Sequence, residues 1–322
     1  MFRQDGELTG LRKPDKKTIH IDSKSLPYEL KELIGGFVYI PMQTIDVSYD
    51  ISLDKAAVRK ISIDPYFISA FEVSNSQYRK FCKEAGPEFL PDTLVWRAPL
   101  AYNEPYVNYY FRHTSYDDYP VVGVTFDQAM AYCEWLNKKV LSILEKYPKL
   151  KDRVHTGEFR LPTKYEWECA ARAENEFNLF PFGNIVLYAD KKGNILYHEN
   201  FKGISDAKGN IMSGLPPMDG TKITSPVYSY TSNDYGIYGM GGNVSEWTCT
   251  PFPLTSENLD ISSENFAQDA EAFFYKGGSW KEGQYYMMIN TDRHQKRDYR
   301  SCSLGFRVIM TYFEKQTENG VY

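Results

Sequence analysis

The sequence predicts a mixed α/β (α+β) protein with little regular secondary structure, on three observations. Helix-capping motifs begin at Ser74, Thr125 and Thr163, and each has Glu or Gln three residues later, which is typical of a helix N-terminus. Short apolar runs at 37–42 and 61–68 indicate strands. The second half of the chain is rich in Gly, Asn, Asp and Tyr and lacks helical periodicity, which indicates long loops. The sequence contains no tandem repeat, so a solenoid is disfavoured. A doubly wound sheet is disfavoured as well.

Local signals also set the expected boundaries of these elements and of the domain. Residues 1–36 are predicted to form an N-terminal arm that ends at a Gly-Gly pair, followed by one domain over 37–315 and a tail over 316–322. Pro65 either bends the second strand candidate or places it at a sheet edge. Gly86 is expected to end the first capped helix.

Composition excludes several classes of protein. The chain has 322 residues, a formal net charge of −5 and 25% charged residues, so wholesale disorder and generic nucleic-acid binding are both disfavoured. Its apolar runs are too short for a transmembrane helix. The polar N-terminus does not resemble a signal peptide, as expected of a cytoplasmic protein or of a secreted one after trimming.

The common catalytic and metal-binding motifs are missing from the sequence. The five cysteines include no Cys-x-x-Cys pair, so a zinc ribbon or a thioredoxin-like site is unsupported and a dense disulfide framework is excluded. The nucleophile motif GxSxG, the zinc motif HExxH and the Gly-rich phosphate-binding motifs are also absent.

An aromatic stretch lies between two prolines, Pro91 and Pro120. It is interpreted either as a loop packed by its own rings or as a surface for a partner protein, since aromatic residues are enriched in both settings. The candidate partner-binding residues are Trp96, Tyr102, Tyr106, Tyr109, Tyr110 and Tyr116.

A glycine-rich segment over 235–248 contains Glu246 followed by Trp247. Glycines let the backbone turn sharply and expose its carbonyls, and a carboxylate beside such carbonyls suits a hard cation such as calcium. A glycine-rich turn anchored by Trp247 is the alternative interpretation.

This segment is one of a series of motifs that resembles the formylglycine-generating, sulfatase-modifying domain family. The resemblance covers residues 37–311 and implies a single α/β fold of the C-type-lectin-like kind, often with bound calcium. Its motifs run in the family's order at 71–78, 120–125, 160–163, 242–247, 277–280 and 305–307.

The same resemblance implies that catalysis has been lost. Active members carry two copper-binding cysteines shortly after the Gly-Gly-Ser-aromatic motif, and the matching positions here are Glu282 and Met287. One carboxylate and one thioether do not replace two thiolates as ligands of copper(I). We therefore expect a pseudo-enzyme with no catalytic residues and no copper.

Two structural calcium sites are also implied by the resemblance. Both would be formed mainly by oxygen atoms of the backbone and of Asn, Asp or Glu side chains. The first matches Asn200, Phe201, Asp219 and Thr221, and the second matches Gly239, Gly242, Val244 and Glu246.

Further segments, among them 101–105 and 116–124, resemble the GldK/PorK lipoproteins of the type IX secretion and gliding machinery of Bacteroidetes. This resemblance implies a structural subunit that forms a ring with a GldN/PorN-type partner in the periplasm, at the inner face of the outer membrane. The lipid-bearing cysteine of those proteins has no match here. A lectin-like binder of glycan or peptide and an enzyme with a non-cysteine site in the same fold are the alternatives.

Overall fold

The protein, seen in a computed structural model, has short elements joined by long loops, which confirms the mixed α/β class. The structure describes residues 26–52, 55–97, 103–148, 157–190, 192, 195–202, 223–253 and 270–311. The helices are α1 (Tyr28–Ile34), α2 (Asn75–Ala85), α3 (Glu104–Tyr109), α4 (Phe126–Lys146) and α5 (Lys164–Arg172). The strands are β1 (Phe37–Ile40), β2 (Gln43–Ser52), β3 (Lys55–Ile63), β4 (Tyr66–Ser69), β5 (Phe159–Arg160), β6 (Leu187–Ala189), β7 (Ile195–Tyr197), β8 (Ser245–Phe252), β9 (Ala272–Lys276), β10 (Arg293–Lys296), β11 (Leu304–Gly305) and β12 (Ile309–Thr311).

Two four-stranded sheets organise the described residues. The first has the order β1-β4-β12-β5 and is antiparallel throughout, so β12 near the end of the chain lies beside β4 near its start. The second has the order β10-β9-β8-β11, with β8 and β11 parallel. Two hairpins, β2–β3 and β6–β7, complete the strand pairing.

The three capping motifs are confirmed as helix N-termini. The hydroxyls of Ser74, Thr125 and Thr163 each accept a hydrogen bond from the backbone N–H three residues on, and each reciprocal side-chain bond is also present. Gly86 follows the end of α2, and Pro65 lies in the break between β3 and β4. Local chemistry therefore sets these boundaries.

The N-terminal boundary of the domain differs from the prediction. Leu30 and Ile34 of α1 are fully buried in the core cluster that includes α2 and α4, so α1 is part of the packed domain and not of an arm. Glycine pairs often mark breaks, but here the pair after α1 only separates the helix from β1. Among the described helices, none combines the length and the apolarity that crossing a membrane requires.

The aromatic stretch is for the most part packed into the protein. Trp96 and Tyr110 are each 1% exposed, so the prediction that they face a partner is wrong. The Tyr110 hydroxyl donates to the Pro120 carbonyl at 2.7 Å, which gives a buried polar atom its partner. Tyr109 is 54% exposed. The half-buried rings are Tyr106 and Tyr116, and Tyr102 lies outside the described residues.

Candidate functional site: a buried carboxylate cluster and the Glu282–Arg293 pair

A fully buried ion pair joins strand β8 to the segment between β11 and β12. Arg307, which follows β11, donates from Nε and Nη2 to the two carboxylate oxygens of Glu246 on β8, at 2.6 Å each. The indole of Trp167 on α5 donates to the same carboxylate at 2.8 Å. Both side chains of the ion pair are inaccessible to solvent. Geometry this complete is what a buried ion pair needs to offset its desolvation.

Two further carboxylates lie next to this pair. Glu72 accepts a hydrogen bond from the Asn243 side chain at 2.9 Å, and Glu199 accepts one from the Gly239 N–H. Burial raises the pKa of Glu72 to about 8 in spite of the opposing charge of Arg307. Burial also raises the pKa of Glu199 well above its usual value, and the neighbouring Glu72 adds to this shift. We name Glu72, Glu199, Glu246 and Arg307 the carboxylate cluster.

The structure brings the described residues of the two predicted calcium sites together at this cluster. The Asn243 N–H donates to the Asn200 carbonyl at 2.8 Å, which places the first site's Asn200 against the second site's glycine-rich turn. At Gly239 (φ +67°) a β-carbon would lie 2.5 Å from a Glu72 oxygen, so a side chain here would have to displace the Glu72 carboxylate. Phe201, Gly242 and Val244 are buried beside them, whereas Asp219 and Thr221 lie outside the described residues.

The chemistry of the cluster fits a hard cation only in part. One carboxylate oxygen of Glu72 and one of Glu199 are buried without a hydrogen-bond partner among the described residues, and such oxygens suit calcium. Glu246 does not fit its predicted role as a ligand, since Arg307 and Trp167 already occupy both of its oxygens. Within the described ranges, no three acidic, histidine or cysteine side chains form a metal-binding group, so backbone carbonyls would have to supply most ligands.

The second feature of interest is an ion pair between Glu282 and Arg293. Glu282 precedes the short helical turn Gln284–Met287, and Arg293 is the first residue of β10. The Ser279 hydroxyl donates to the Glu282 carboxylate at 2.8 Å, and Arg293 donates to the Ser245 hydroxyl at 2.6 Å. The Glu282 carboxylate, the Arg293 guanidinium and the two serine hydroxyls therefore all have hydrogen-bond partners.

Aromatic rings enclose the guanidinium of Arg293 on two sides. Its central carbon lies 4.5 Å from the centre of the Tyr275 ring and 4.9 Å from that of Tyr286. Only 13% of the Arg293 side chain is exposed. Cation–π contacts and the ion pair together hold the arginine in place.

Met287 is part of the protein's packing and is not a surface group. It is fully buried in a cluster with Phe180, Val186, Tyr197 and Phe201. Its thioether therefore fills space between apolar side chains, which is a common use of methionine.

Sequence reasoning missed four residues of these two features: Glu72, Glu199, Arg307 and Arg293. Glu72 and Arg307 lie within the motif segments 71–78 and 305–307, and Glu199 directly precedes the predicted ligand Asn200, so a search for charged residues at these positions could have found them. No sequence signal marks Arg293, because its contacts with Glu282 and Ser245 arise only when the strands β8 and β10 meet the loop that carries Glu282.

Comparison with known proteins agrees with the fold. A family model described as a sulfatase-modifying factor enzyme 1-like domain matches residues 26–312. The formylglycine-generating enzyme of Bos taurus is 25% identical over 288 residues, covering 79% of this chain and 67% of that protein. The inactive C-alpha-formylglycine-generating enzyme 2 of Bos taurus is 24% identical over 283 residues, with 78% of each chain covered.

Among solved structures, PvdO from Pseudomonas aeruginosa superimposes with a TM-score of 0.57 at 21% identity, covering 86% of this chain and 94% of that one. The similarity supports the fold. The family model begins at residue 26 and so includes α1, in agreement with the burial of that helix. Since the family model matches nearly the whole chain, the protein belongs to the family of sulfatase-modifying factor enzyme 1-like domains.

Proposed function

We propose that this protein is a non-catalytic member of its family that acts as a structural subunit of an assembly. One observation carries the proposal: the two positions that the family resemblance assigns to copper-binding cysteines hold Glu282, in an ion pair with Arg293, and Met287, buried in apolar packing. Copper(I) prefers soft thiolates. A carboxylate already neutralised by a guanidinium and a thioether enclosed by aromatic rings offer no equivalent pair of ligands.

The relatives give this proposal additional support. Two of the similar proteins carry the name inactive C-alpha-formylglycine-generating enzyme 2, so a non-catalytic form of the domain exists at comparable identity. Similar proteins with the active enzyme's name are slightly more identical, at 25% and 27% against 24% and 22%. Identity alone does not separate the two classes, and the local chemistry at Glu282 supports the inactive one.

We further propose the assembly to which the subunit belongs. The segments at 101–105, 116–124 and 277–281 resemble the GldK/PorK lipoproteins, which supports a role in type IX secretion or gliding motility. The partner would then be a GldN/PorN-type protein, bound in a periplasmic ring at the inner face of the outer membrane. Calcium at the carboxylate cluster would be structural, held by Glu72, Glu199 and nearby backbone carbonyls.

Affinity capture from cell envelopes tests this function. The tagged full chain is expressed in its native host and purified after mild cross-linking, and co-purifying proteins are quantified by mass spectrometry. Recovery of a GldN/PorN-type protein in near-equal amount is the expected result. Recovery of the protein alone, in the soluble fraction and with affinity for an immobilised glycan or peptide, would contradict the scaffold function and favour the lectin-like alternative.

A further inference from the structure

Large apolar side chains project into solvent from the loop that follows α5. Phe177 is 77% exposed, Ile185 is 69% exposed and Leu179 is 49% exposed. We name these three residues the Phe177 ridge. Single exposed apolar residues are common on protein surfaces, but a contiguous group of them is typical of an interaction site. We infer that the Phe177 ridge docks into an apolar pocket of a partner protein, with Lys or Arg side chains at the rim of that pocket.

The backbone brings the members of the ridge together. Phe180 and Gly183 exchange two backbone hydrogen bonds, at 2.9 and 3.0 Å, so the chain reverses its direction between them. The Asn184 side chain accepts the Leu179 N–H at 2.8 Å. Ile185 therefore lies beside the segment that carries the other two members, and the three form one surface.

Hydrogen bonds within the loop hold Phe177 in place. The Phe177 N–H donates to the side-chain oxygen of Asn175 at 3.1 Å. Asn178 is only 8% exposed, and its amide donates to the Arg172 carbonyl at the end of α5 at 3.2 Å. On the far side of the ridge, the Leu179 carbonyl accepts a hydrogen bond at 2.9 Å from the segment that precedes β10. A ring that is already ordered loses little conformational entropy when a partner covers it.

Two residues ahead of the ridge have a backbone conformation that non-glycine side chains disfavour. Ala173 has φ +49° and Glu174 has φ +66°, both in the left-handed region. Residues of this kind cost free energy and persist only where the surrounding structure imposes them, which is common at binding sites. The shape of the loop is thus maintained against its local preference, in agreement with a binding function.

Acidic side chains border the ridge and define the chemistry of its partner. Glu174 and Glu176 are exposed, and neither forms an ion pair within the described part of the chain. The nearest cation in sequence, Arg172, has a side chain that is 19% exposed and pairs with Glu168 at 3.9 Å. The rim therefore keeps a negative charge, which favours Lys or Arg around the partner's pocket. The same charge would be repelled by an anionic lipid surface.

This inference rests on the proposed scaffold function, and its test separates the two. Photoactivatable benzoylphenylalanine is placed at position 177 of the tagged full chain, which is expressed in its native host. Irradiated cell envelopes are purified through the tag, and the cross-linked peptides are sequenced by mass spectrometry. Position 28 is the matched control, because Tyr28 on α1 is also an aromatic residue and is 74% exposed.

We expect position 177 to cross-link to a partner peptide in which apolar residues are flanked by Lys or Arg, and position 28 not to cross-link to that protein. Phe177→Ala should weaken capture of the partner by at least about tenfold, as truncation of an aromatic hot spot does. Glu176→Lys should weaken capture at low salt more than at high salt. Glu145→Lys, at an exposed position of α4, is the charge-matched control and should leave capture unchanged.

All these side chains are exposed, so the variants should keep the melting temperature of the parent. The inference would be overturned by the absence of a cross-link at position 177, by a cross-linked peptide without basic residues, or by a cross-link between two copies of this chain. Equal weakening of capture by Phe177→Ala and Tyr28→Ala would overturn it as well. So would flotation of the protein with phosphatidylglycerol vesicles that is lost in Phe177→Ala, since this would show insertion into lipid.

The outcomes also distinguish this inference from the scaffold function on which it rests. A GldN/PorN-type partner that co-purifies without a cross-link at position 177 would reject the Phe177 ridge and leave the scaffold function standing. A cross-link at position 177 to a basic, apolar peptide of an unrelated protein, with capture lost in Phe177→Ala, would keep the ridge and reject the proposed assembly.

Discussion

The guanidinium of Arg307 donates two 2.6 Å hydrogen bonds to the carboxylate of Glu246, with both side chains shielded from solvent. Arg307 also donates to the carbonyls of Ser69, at the end of β4, and Tyr238, in the glycine-rich turn. One cation therefore joins both four-stranded sheets and the turn that lies between them. Its loss would leave the buried Glu246 carboxylate without its compensating charge.

Arg307→Met should destabilise the protein severely. Removing one partner of a buried, fully hydrogen-bonded ion pair costs about 3–5 kcal/mol, because the remaining charge stays buried. The free energy of unfolding is measured by urea denaturation. The control is Arg297→Met, which breaks the more exposed pair with Asp127 and should cost no more than about 1 kcal/mol. Similar losses in the two variants would contradict a large contribution of the buried Arg307–Glu246 pair to the free energy of unfolding.

Asp292→Asn should weaken the protein and alter its acid sensitivity. Burial opposes ionisation of Asp292, but the ammonium groups of Lys276 and Lys164 outweigh it and hold its pKa below the usual value. A lowered pKa in the folded state contributes stability above the unfolded pKa of 3.8, and this stability is lost as pH falls below it. We expect a loss of about 1–2 kcal/mol at pH 7, less than for a fully buried pair because the side chain is 37% exposed and thus screened.

The same variant should show a shallower fall of stability than the parent below about pH 4, because its amide no longer takes up a proton. Melting temperatures between pH 2.5 and 7 would measure this. An equally steep fall in both proteins would assign the acid sensitivity to other carboxylates. Asp127→Asn is the matched control at an exposed ion pair.

Neighbouring tyrosines of the aromatic stretch should respond differently to truncation. Tyr110→Ala removes a buried ring that contacts Trp96 at 4.6 Å between centroids, and should cost about 3–5 kcal/mol. Tyr109→Ala removes a ring that is 54% exposed and should change stability by no more than about 0.5 kcal/mol. Thermal denaturation of both variants decides between a packed loop and a partner surface at these positions. Equal small effects would favour the surface.

Removal of calcium should lower the melting temperature if the metal is structural. A ligand that binds the folded state at about a hundred times its Kd contributes about 2.7 kcal/mol, which is several degrees for a chain of this size. Differential scanning fluorimetry with a chelator, followed by calcium in excess, measures the shift. Glu199→Gln should abolish the shift and exposed Glu176→Gln should retain it. No shift in the parent protein would count against the metal.

The sequence was most informative where structure depends on neighbours along the chain. The capping motifs at Ser74, Thr125 and Thr163 correctly marked three helix starts, because the partners of a cap lie within three residues. The motif series correctly identified the family, because it consists of several short motifs that occur in a fixed order along the chain.

Contacts between distant residues could not be derived in this way. The hydrogen bond from Asn243 to Glu72 spans 171 residues, and neither residue type predicts the other. The aromatic stretch shows the same limit, because tyrosines pack equally well in a core and in an interface. Only the fold shows that Tyr110 faces inward while Tyr109 faces solvent.

We propose that the Glu282–Arg293 pair and buried Met287 stand where active relatives bind copper. This proposal is tested by a competition titration of the purified full chain with copper(I) and a chromogenic chelator, combined with an assay for formylglycine in a cysteine-containing substrate peptide. For the unaltered chain we expect no copper(I) bound in competition with the chelator and no formylglycine, and the Glu282→Cys, Met287→Cys double variant should also form no formylglycine. Stoichiometric copper(I) binding by the unaltered chain, with conversion of the peptide, would contradict the claim.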